Sequence, residues 1–454
     1  MPNSTERKAR IHYARVDEFW HKEQKYAYLE EKQHVGNVEW HELQPDAKGN
    51  WLTVGMQDEF DAFLPIGSKK AKAAARDDAT TIFKNYGRGV ATTRDAWAYN
   101  FGRGELEENI RRTIQTYNEH VYKWAQQKPE RSDVDSFVSN DDTRISWSEG
   151  LKNSLARGLT IEYQEDHIRH SLYRPFTTSF LYFDGILNER RYQFPAILPV
   201  AKLEEENLAI CLSGIGSNKP FHCLLVNLIP SLDLLEKTQC FPFYTYNEDG
   251  TNRRENITDW ALKQFHSHYK DMSITKWDIF YYVYAVLHHP LYRERYAANL
   301  KRELPRIPYA PDFRAFVDIG KRLAEIHVNY EQQPEYPLEK IETPGKPLDW
   351  RVEKMKLSKD KRSLIYNDFL TLSGIPPEAF EYRLGNRSAL EWIIDQHQVS
   401  TDKRSSITND PNRVDDPQYV LLLIAQVITA SIETVTLVQS LAQLNLVNSE
   451  SSAA

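Results

Sequence analysis

A change of pattern along the chain most constrains its fold. Residues 176–187 and 208–228 are rich in aromatic and β-branched residues in short runs bounded by Gly, Pro and Asn, which predicts a mostly antiparallel sheet. From residue 258 to residue 330, apolar residues instead recur at helical spacing. This order predicts an α+β fold, in which a mixed, sheet-containing lobe precedes a helical lobe and a C-terminal helix.

Several helix signals support this prediction. Thr275 and Asp278 have the spacing of a capping box, and Pro290 suits the first turn of a helix that extends to about residue 304. The apolar spacing predicts a helix over residues 106–127 and another over residues 313–326. Residues 69–84 predict a basic helix, and residues 128–143 an exposed connection.

The same patterns predict four segments. Residues 1–50 contain one strand (9–16) and one short helix (22–31), which cannot bury a core of their own and therefore resemble the end of a domain. Proline residues between positions 334 and 347 mark a later boundary. The predicted segments are 1–50, a mixed α/β lobe at 51–250, a helical lobe at 251–340, and a C-terminal lobe at 341–454 that ends in a helix.

Charge and cysteine content limit the class of protein. The chain has 57 Lys and Arg against 64 Asp and Glu, a net charge of −7, so contact with nucleic acid would depend on local basic patches. Three cysteines without metal-ligand spacing suit reduced thiols, and the N-terminal residues contain no apolar segment of a secretory signal. We expect a cytoplasmic protein without disulfides or structural zinc.

The stretch from residue 419 to residue 446 is apolar enough to raise the question of a membrane span. Gln426, Glu433, Gln439 and Gln443 interrupt it, and a carboxylate at the centre of a bilayer costs about 2–3 kcal/mol. We therefore expect a terminal helix that packs on the protein's own core, with no membrane partner.

Sequence motifs of autonomous enzymes are missing. There is no Walker A loop, no GxGxxG motif after a strand, no HExxH motif, and no Asn-Pro-Pro-Tyr tetrapeptide of the kind used by amino-methylating DNA enzymes. His266 with His268, and His288 with His289, could suggest metal ligands, but residues two apart on a helix point in different directions. A histidine-dependent hydrolase is therefore the weakest hypothesis, and no cofactor is expected in this chain.

The loop at residues 213–219 (SGIGSNK) permits two interpretations. Its glycines could let backbone N–H groups approach a phosphate, to which Lys219 would add charge. Turn chemistry favours a simple hairpin between residues 209–212 and 221–225. A hairpin that lies against a DNA backbone would satisfy both interpretations.

Basic residues in loops are the candidate DNA contacts. Arginine binds guanine edges through paired hydrogen bonds, and both Arg and Lys neutralise phosphates. Trp97, Tyr99 and Phe101 alternate as in a strand, where core packing is favoured over stacking on a base. The predicted DNA contacts, chosen by charge and loop position, are Arg88, Arg94, Arg103, Arg190, Arg191 and Lys219.

Several long strings resemble the C-terminal target-recognition region of Type ISP restriction–modification enzymes, the single-polypeptide family related to Type I. The similarity runs in the family's order from about residue 9 to about residue 425. The strings that carry it are NYGRGVATTRDAWAYNF (85–101), YRPF (173–176), CLSGIG (211–216), QCFP (239–242), ITDWAL (257–262), VYAVLHHP (283–290), LPRIP (304–308) and RSALEWIID (387–395).

The resemblance implies sequence-specific recognition of double-stranded DNA. Members of the family join a nuclease, a translocase, an adenine-N6 methyltransferase and a specificity domain, and residues 1–50 resemble the tail of the methyltransferase. S-adenosylmethionine and ATP are therefore implied only for domains that this sequence lacks, which a separate methyltransferase/translocase chain could provide. The alternative is a non-catalytic remnant that acts as a protein-interaction module, which an exposed apolar strip beside Ile11, Tyr13 and Val16 would favour.

Overall fold

The computed structural model describes residues 10–16, 20, 22–45, 51, 56–76, 78–126, 133–204 and 206–447. The chain forms two compact units, Met1–Gln57 and Asp58–Ala454. The division lies seven residues after the boundary predicted at residue 50. The boundaries predicted at residues 250 and 340 lie within the second unit.

The first unit is small and its surface is partly apolar. Strand β1 (Ile11–Tyr13) pairs in antiparallel fashion with β2 (His41–Leu43), and helix α1 (Lys22–Lys32) lies between them in sequence. The predicted strand and helix are confirmed, but α1 buries none of its side chains. The exposed apolar residues of this unit are Ile11, Tyr26, Leu29, Val35, Trp40 and Trp51.

The second unit combines helices with several small sheets, which confirms the predicted α+β class. Its helices are α2 (Lys69–Ala73), α3 (Asp95–Ala98), α4 (Arg103–Ala125), α5 (Val134–Phe137), α6 (Glu149–Ala156), α7 (Phe194–Ile197), α8 (Asp259–Tyr269), α9 (Lys276–His288), α10 (Pro290–Arg295), α11 (Ala297–Arg302), α12 (Phe313–Val328), α13 (Ala389–Gln396) and α14 (Tyr419–Ala442).

The strands of this unit are short, and most of them pair in antiparallel fashion. They are β3 (Leu64–Pro65), β4 (Gly87–Arg88), β5 (Tyr99–Asn100), β6 (Ile168–Arg174), β7 (Thr177–Tyr182), β8 (Ala209–Leu212), β9 (Cys223–Val226), β10 (Ile229–Pro230), β11 (Gln239–Pro242), β12 (Tyr244–Thr245), β13 (Arg254–Glu255), β14 (Arg306–Ile307), β15 (Glu339–Glu342), β16 (Lys356–Leu357), β17 (Ser363–Ile365), β18 (Leu370–Ser373), β19 (Arg383–Leu384), β20 (Arg387–Ser388), β21 (Ser400–Thr401) and β22 (Thr408–Asn409). Three four-stranded sheets have the orders β10-β6-β7-β5, β4-β11-β8-β9 and β15-β18-β17-β16.

The sheet β4-β11-β8-β9, called here the central sheet, is buried on both faces. Because side chains alternate along a strand, Ile210 and Leu212 of β8 join a core with helices α9 and α12, whereas Ala209 and Cys211 join the core on the other face. This second core includes residues from β17, β18, α13 and the first half of α14, and Leu357 of β16 packs against it. Burial on both faces explains why β8 and β9 are apolar without alternation.

Helix α14 lies in the core, as predicted. By length and composition it could cross a membrane, but more than half of its most apolar stretch is buried within the protein. Glu433, the acidic residue that interrupts this stretch, accepts a hydrogen bond of 2.6 Å from Nε of Arg322 on α12. Two of the residues that argued against a membrane span, Gln426 and Glu433, thus have polar partners within the fold.

Other local predictions are confirmed in part. The capping box of Thr275 and Asp278 is present, and α12 has the predicted apolar stripe. The helix predicted from Pro290 to residue 304 is wrong in its length, because it ends at Arg295 and a second helix, α11, begins at Ala297. The connection predicted over residues 128–143 contains the short helix α5, while residues 128–132 lie outside the described residues.

The helix predicted over residues 69–84 is wrong, since α2 ends at Ala73. Lys84 supplies a physical reason. Its buried ammonium group donates to the carbonyl oxygens of Ala71 and Lys72, at 2.7 and 2.8 Å, and so caps the end of α2 from outside the helix. After Ala73 the described residues form bends and a turn, and Phe83 bridges to Ile257.

Candidate nucleic-acid interface

Three loops meet at one end of the central sheet. Arg88 on β4 is opposite Gln239 on β11, and Gln239 is opposite Leu212 on β8. The chain leaves β4 and β8, and enters β11, at this same end. The topology therefore brings together the segment after Arg88, the loop 213–222 and the loop 232–238.

Glycine is required where these loops touch. A Cβ atom at Gly89 would overlap the carbonyl oxygen of Ser231, and one at Gly214 would overlap the carbonyl oxygen of Lys237. The amide of Gly89 donates to Thr238 O at 3.2 Å, and the amide of Gly214 donates to Glu236 O at 2.9 Å. Backbone therefore packs directly on backbone and fixes the relative position of the three loops.

The loop at residues 213–219 is a hairpin connection, as turn chemistry predicted, because β8 and β9 pair in register on either side of it. The loop also surrounds an anion, but the anion belongs to the protein. Ser217 Oγ donates to Glu236 Oε2 at 2.8 Å and the amide of Asn218 donates to Glu236 Oε1 at 3.4 Å. Burial opposes ionisation of Glu236, but these hydrogen bonds and the nearby Lys219 and Lys237 lower its pKa overall. The Glu236 carboxylate thus occupies the place proposed for a phosphate.

The side chains of Arg88 and Arg190 are exposed, and each arginine lies near the loop that contains the other. The Arg88 guanidinium lies 6.0 Å from the centre of the Tyr192 ring. The backbones of Arg190 and Ala91 form an isolated β-bridge three residues after Arg88. The Arg190 side chain is 63% exposed and lies 3.7 Å from Glu189. Both guanidinium groups are therefore positioned by backbone pairing and remain open to solvent.

Left-handed backbone conformations occur in the same region. Tyr192 has a φ of 48°, and Glu236 and Lys237 have φ values of 61° and 55°. This conformation is unfavourable for residues with large side chains, and it persists where surrounding contacts enforce it. Tyr192 is 39% exposed, so its ring is accessible despite the constrained backbone.

Arg103 and Arg191 line a common groove of 660 Å³. Arg103 begins α4 and donates to Glu165 Oε1 at 2.9 Å, and its side chain is 44% exposed. The Arg191 guanidinium lies 5.2 Å from the centre of the Phe183 ring. Because Glu165, Asp166 and Glu248 also line this groove, its charge is mixed.

Lys219 extends from the central sheet toward the C-terminal part of the unit. Its ammonium group lies 5.9 Å from the centre of the Trp392 ring on α13, and the Arg387 guanidinium lies 4.9 Å from the same ring. Trp392 is itself buried and donates through Nε1 to Leu384 O at 3.0 Å. The Trp392 ring therefore connects the hairpin loop to the basic residues around β19 and β20.

The structure corrects the prediction that Arg94 contacts DNA. Arg94 is 4% exposed, and its guanidinium donates to Ser146 O at 2.9 Å, to Ser148 Oγ at 2.6 Å and to Leu187 O. Burial lowers the pKa of Arg94 to about 10, against the opposing attraction of Glu189. Arg94 thus joins three segments of the interior and leaves five candidates: Arg88, Arg103, Arg190, Arg191 and Lys219.

Two of the three aromatic residues predicted to pack rather than stack are buried, and Phe101 is half-buried beside the His397 ring. Trp97 and Tyr99 are 1% and 4% exposed, although Trp97 lies on the helix α3 rather than on the predicted strand.

The paired histidines contact neighbouring residues of the fold. His288 is buried with its Nδ1 2.9 Å from Tyr284 O, and the His268 ring stacks on Tyr309. Among the described residues, no group of three or more His, Cys, Asp and Glu side chains is arranged to hold a metal ion.

Sequence reasoning missed some exposed residues of this surface. Tyr192 directly follows Arg190 and Arg191, and an aromatic residue after two arginines was a usable signal. A second group surrounds a groove of 560 Å³ and includes Lys354, Lys361, Arg383 and Arg387. Lysine alternates with other residues over positions 354–362, which was visible in the sequence. Only the fold brings Lys354 and Lys361 to the same groove as Arg387.

Comparison with known proteins agrees with this geometry. The model of the Type ISP C-terminal specificity domain matches residues 81–423. This chain belongs to that family. The match includes the central sheet, all of the candidate loops and the first turn of α14.

Three solved structures, two of them of Type ISP enzymes, share the fold of this specificity domain. A nuclease-deletion mutant of LlaGI, in complex with a DNA substrate mimic, is 33% identical with a TM-score of 0.83, over 97% of this chain and 40% of LlaGI. The DrdV–DNA complex is 37% identical with a TM-score of 0.84, over 97% of this chain and 44% of DrdV. The ATP-dependent enzyme LlaBIII, bound to DNA, is 31% identical with a TM-score of 0.83, over 96% of this chain and 28% of LlaBIII.

The specificity domain spans less than half the length of each of these three enzymes. A search of curated proteins found no match to the chain.

Proposed function

We propose that this chain recognises a short DNA sequence as the specificity part of a Type ISP restriction–modification system. The observation that carries the proposal is the similarity to two Type ISP enzymes and to the DrdV–DNA complex, each solved with DNA or a DNA substrate mimic, which extends over at least 96% of the chain at 31–37% identity. The exposed cations at one end of the central sheet add independent support, because a protein with a net charge of −7 needs a local basic surface to approach DNA.

The contacts proposed for the DNA are Arg88, Arg190 and Arg191, with Arg103 and Lys219 at the margins. An arginine guanidinium held by a rigid loop suits recognition of guanine, because it can donate two parallel hydrogen bonds to the base edge. Arg88 and Arg190 have this support from the β-strand pairing and the bridge at Ala91. Lys219 lacks a planar fork and is better suited to a phosphate.

Catalysis is proposed for other parts of such a system. In this view an adenine-N6 methyltransferase with S-adenosylmethionine, and an ATP-dependent translocase, complete the enzyme in the same cytoplasm. The first unit supports a protein contact of this kind, since Leu29, Val35 and Trp40 are 61%, 72% and 46% exposed.

A selection from random duplex DNA tests the proposal. The purified chain is incubated with the library at two salt concentrations, and the retained DNA is sequenced. We expect an enriched asymmetric motif of several base pairs. Weak binding that disappears as salt rises, with no enriched motif, would contradict recognition by this chain and favour a protein-interaction module.

A double variant locates the contact. We expect R88A/R190A to lose the enriched motif, or to relax it at guanine positions, while the fold is retained because both side chains are exposed. The matched control is R157A/K321A, which removes two exposed positive charges from the end of α6 and from α12. If both variants select the same motif as the parent, the assignment of Arg88 and Arg190 is wrong.

A further inference from the structure

The hairpin formed by β16 and β17 carries a concentration of positive charge outside the loops already assigned. Its sequence from Lys354 to Arg362 contains five basic residues and one acidic residue, Asp360. Lys354, Lys356, Lys359, Lys361 and Arg362 are all exposed. The net charge of this short segment is therefore opposite to that of the whole chain.

The hairpin is firmly held by the fold. Leu357 pairs with Leu364, which is fully buried, while Lys356 pairs with the exposed Ile365. β17 continues the sheet through β18, which pairs in turn with β15. Because side chains alternate along a strand, the buried leucines place Lys356 on the solvent side of this sheet.

The turn between the strands is also ordered by its own hydrogen bonds. Ser358 N donates to Ser363 O at 2.9 Å, and Lys361 N donates to Ser358 O at 3.0 Å. Asp360 Oδ1 accepts from Ser358 Oγ at 2.7 Å and from the amide of Arg362 at 3.1 Å. The turn thus uses its acidic residue internally, and Lys359 and Arg362 are held at the tip.

Most of these cations form no ion pair with a described carboxylate. Lys361 pairs with Glu391 at 2.7 Å. Within the part of the chain that the structure describes, no carboxylate lies within 4.0 Å of the side-chain nitrogens of Lys354, Lys356, Lys359 and Arg362. Asp360, which interacts electrostatically with Arg362, and Glu391 therefore neutralise the positive charge of the hairpin only in part.

The hairpin continues the candidate interface. Lys354 and Lys361 line the same groove as Arg383 and Arg387. Arg387 lies over the Trp392 ring, and Lys219 of the central loop lies over that ring as well. A line of basic side chains thus leads from the end of the central sheet to the tip of the hairpin. Three of its members, Lys361, Arg383 and Arg387, are paired with Glu391 or Asp395 of the same groove.

We propose that the hairpin binds phosphates of duplex DNA that flanks the recognised sequence and does not select bases. Lysine predominates on it, and an ammonium group is a point charge that neutralises phosphate without the paired hydrogen bonds that distinguish bases. This inference rests on the proposed function, and it divides the surface into loops that select sequence and a hairpin that adds affinity.

The test compares two triple variants of the full chain. K356A/K359A/R362A removes three charges from the hairpin, and K123A/K263A/K321A removes three exposed charges from helices α4, α8 and α12. Binding of a duplex that contains the selected motif, and of one that does not, is measured from low to high salt. Melting temperatures establish that each variant is folded.

We expect the hairpin variant to bind both duplexes more weakly than the parent, by the same factor. The slope of log affinity against log salt should fall in magnitude by about 2 to 3, as for three lost phosphate contacts. The control variant should keep the parent slope. K356R/K359R, which keeps the charge, should bind as the parent does.

Two results would overturn the inference while DNA binding by the parent stands. The hairpin variant could match the control at every salt concentration, or it could change the selected motif, which would make the hairpin a reader of bases. If the parent binds neither duplex at low salt, the proposed function and the inference both fail.

Discussion

The loop at residues 213–219 and the turn at residues 358–362 both connect antiparallel strands, and both are rich in groups that bind anions. They differ in what already occupies those groups. In the first loop, Glu236 accepts from Ser217 and Asn218, and Lys237 donates to Gly216 O at 2.9 Å. In the second, the turn closes on itself and leaves Lys359 and Arg362 directed outward. The composition of a loop therefore does not identify an anion site until its internal partners are known.

The same contrast separates Arg94 from Arg190. Both arginines were predicted to contact DNA because of their charge and loop position. Arg94 has three acceptors in distant parts of the fold, whereas the Arg190 side chain contacts only its neighbour Glu189 among the described contacts and is 63% exposed. The difference predicts opposite consequences when each arginine is removed.

Replacement of Arg94 should have the largest effect on stability. We expect R94A to lower the free energy of unfolding by about 3–5 kcal/mol, because it leaves the acceptors at Ser146 and Leu187 unsatisfied and removes a buried cation that interacts with Glu189. R190A should change stability by less than about 0.5 kcal/mol and should instead weaken DNA binding. Urea unfolding of both variants measures the difference. Equal midpoints would contradict the division into interior and surface arginines.

The contact between the central loops gives the next largest effect. G214A should lower the free energy of unfolding by about 2–3 kcal/mol, because the added Cβ overlaps the carbonyl of Lys237 and forces two backbones apart. Gly104 on α4 is the matched control, since nothing lies within 4 Å of its Cβ position. G104A should be neutral or stabilising by up to about 1 kcal/mol. A neutral G214A would mean that the loops are not held together at this point.

A smaller effect is expected at Glu236, and it depends on pH. We expect E236Q to lower stability by about 1 kcal/mol at neutral pH, since the charged acceptor for Ser217 and Asn218 is lost. The pKa of Glu236 is lowered from its ordinary value of 4.5 in the folded state. Its contribution is therefore fully present above pH 4.5 and is lost as the pH falls through the lower folded value.

Unfolding of the parent and E236Q between pH 7 and pH 3 measures this contribution. Their difference in free energy should shrink toward the acid end, and a constant difference would contradict the assignment. E236Q should also bind DNA more tightly at low salt, because it removes a negative charge from the candidate surface.

Periodic patterns accounted for much of the fold. Helices α4 and α12 were predicted from an apolar stripe in their own sequences, α9 from its capping box and α14 from its long apolar stretch. The sheet β15-β18-β17-β16 was missed, because its strands have two to four residues and several are polar. Such strands depend on pairing with residues far along the chain, as Glu339 does with Ser373.

The candidate site shows a similar limit. Arg88 and Arg190 were found from charge and loop position, which are local properties. The burial of Arg94 depends on acceptors 52 to 93 residues away, so no local pattern distinguishes it from its exposed neighbours. Lysine alternates with other residues in the hairpin at residues 356–365, and this pattern is visible in the sequence. Its connection to the candidate interface depends on the fold, which places Arg387 in the groove beside the hairpin and over the Trp392 ring.

Removal of residues 1–57 should have the smallest effect on DNA recognition. All proposed DNA contacts lie in the second unit, Asp58–Ala454, which is compact and contains the cores around the central sheet. We expect the shortened chain to select the same motif with an affinity within about threefold of the parent, and to aggregate less because Leu29, Val35 and Trp40 are removed. Loss of the motif would place part of the recognition surface in the first unit. Retention would restrict recognition to the second unit and leave the apolar surface of the first for a protein partner.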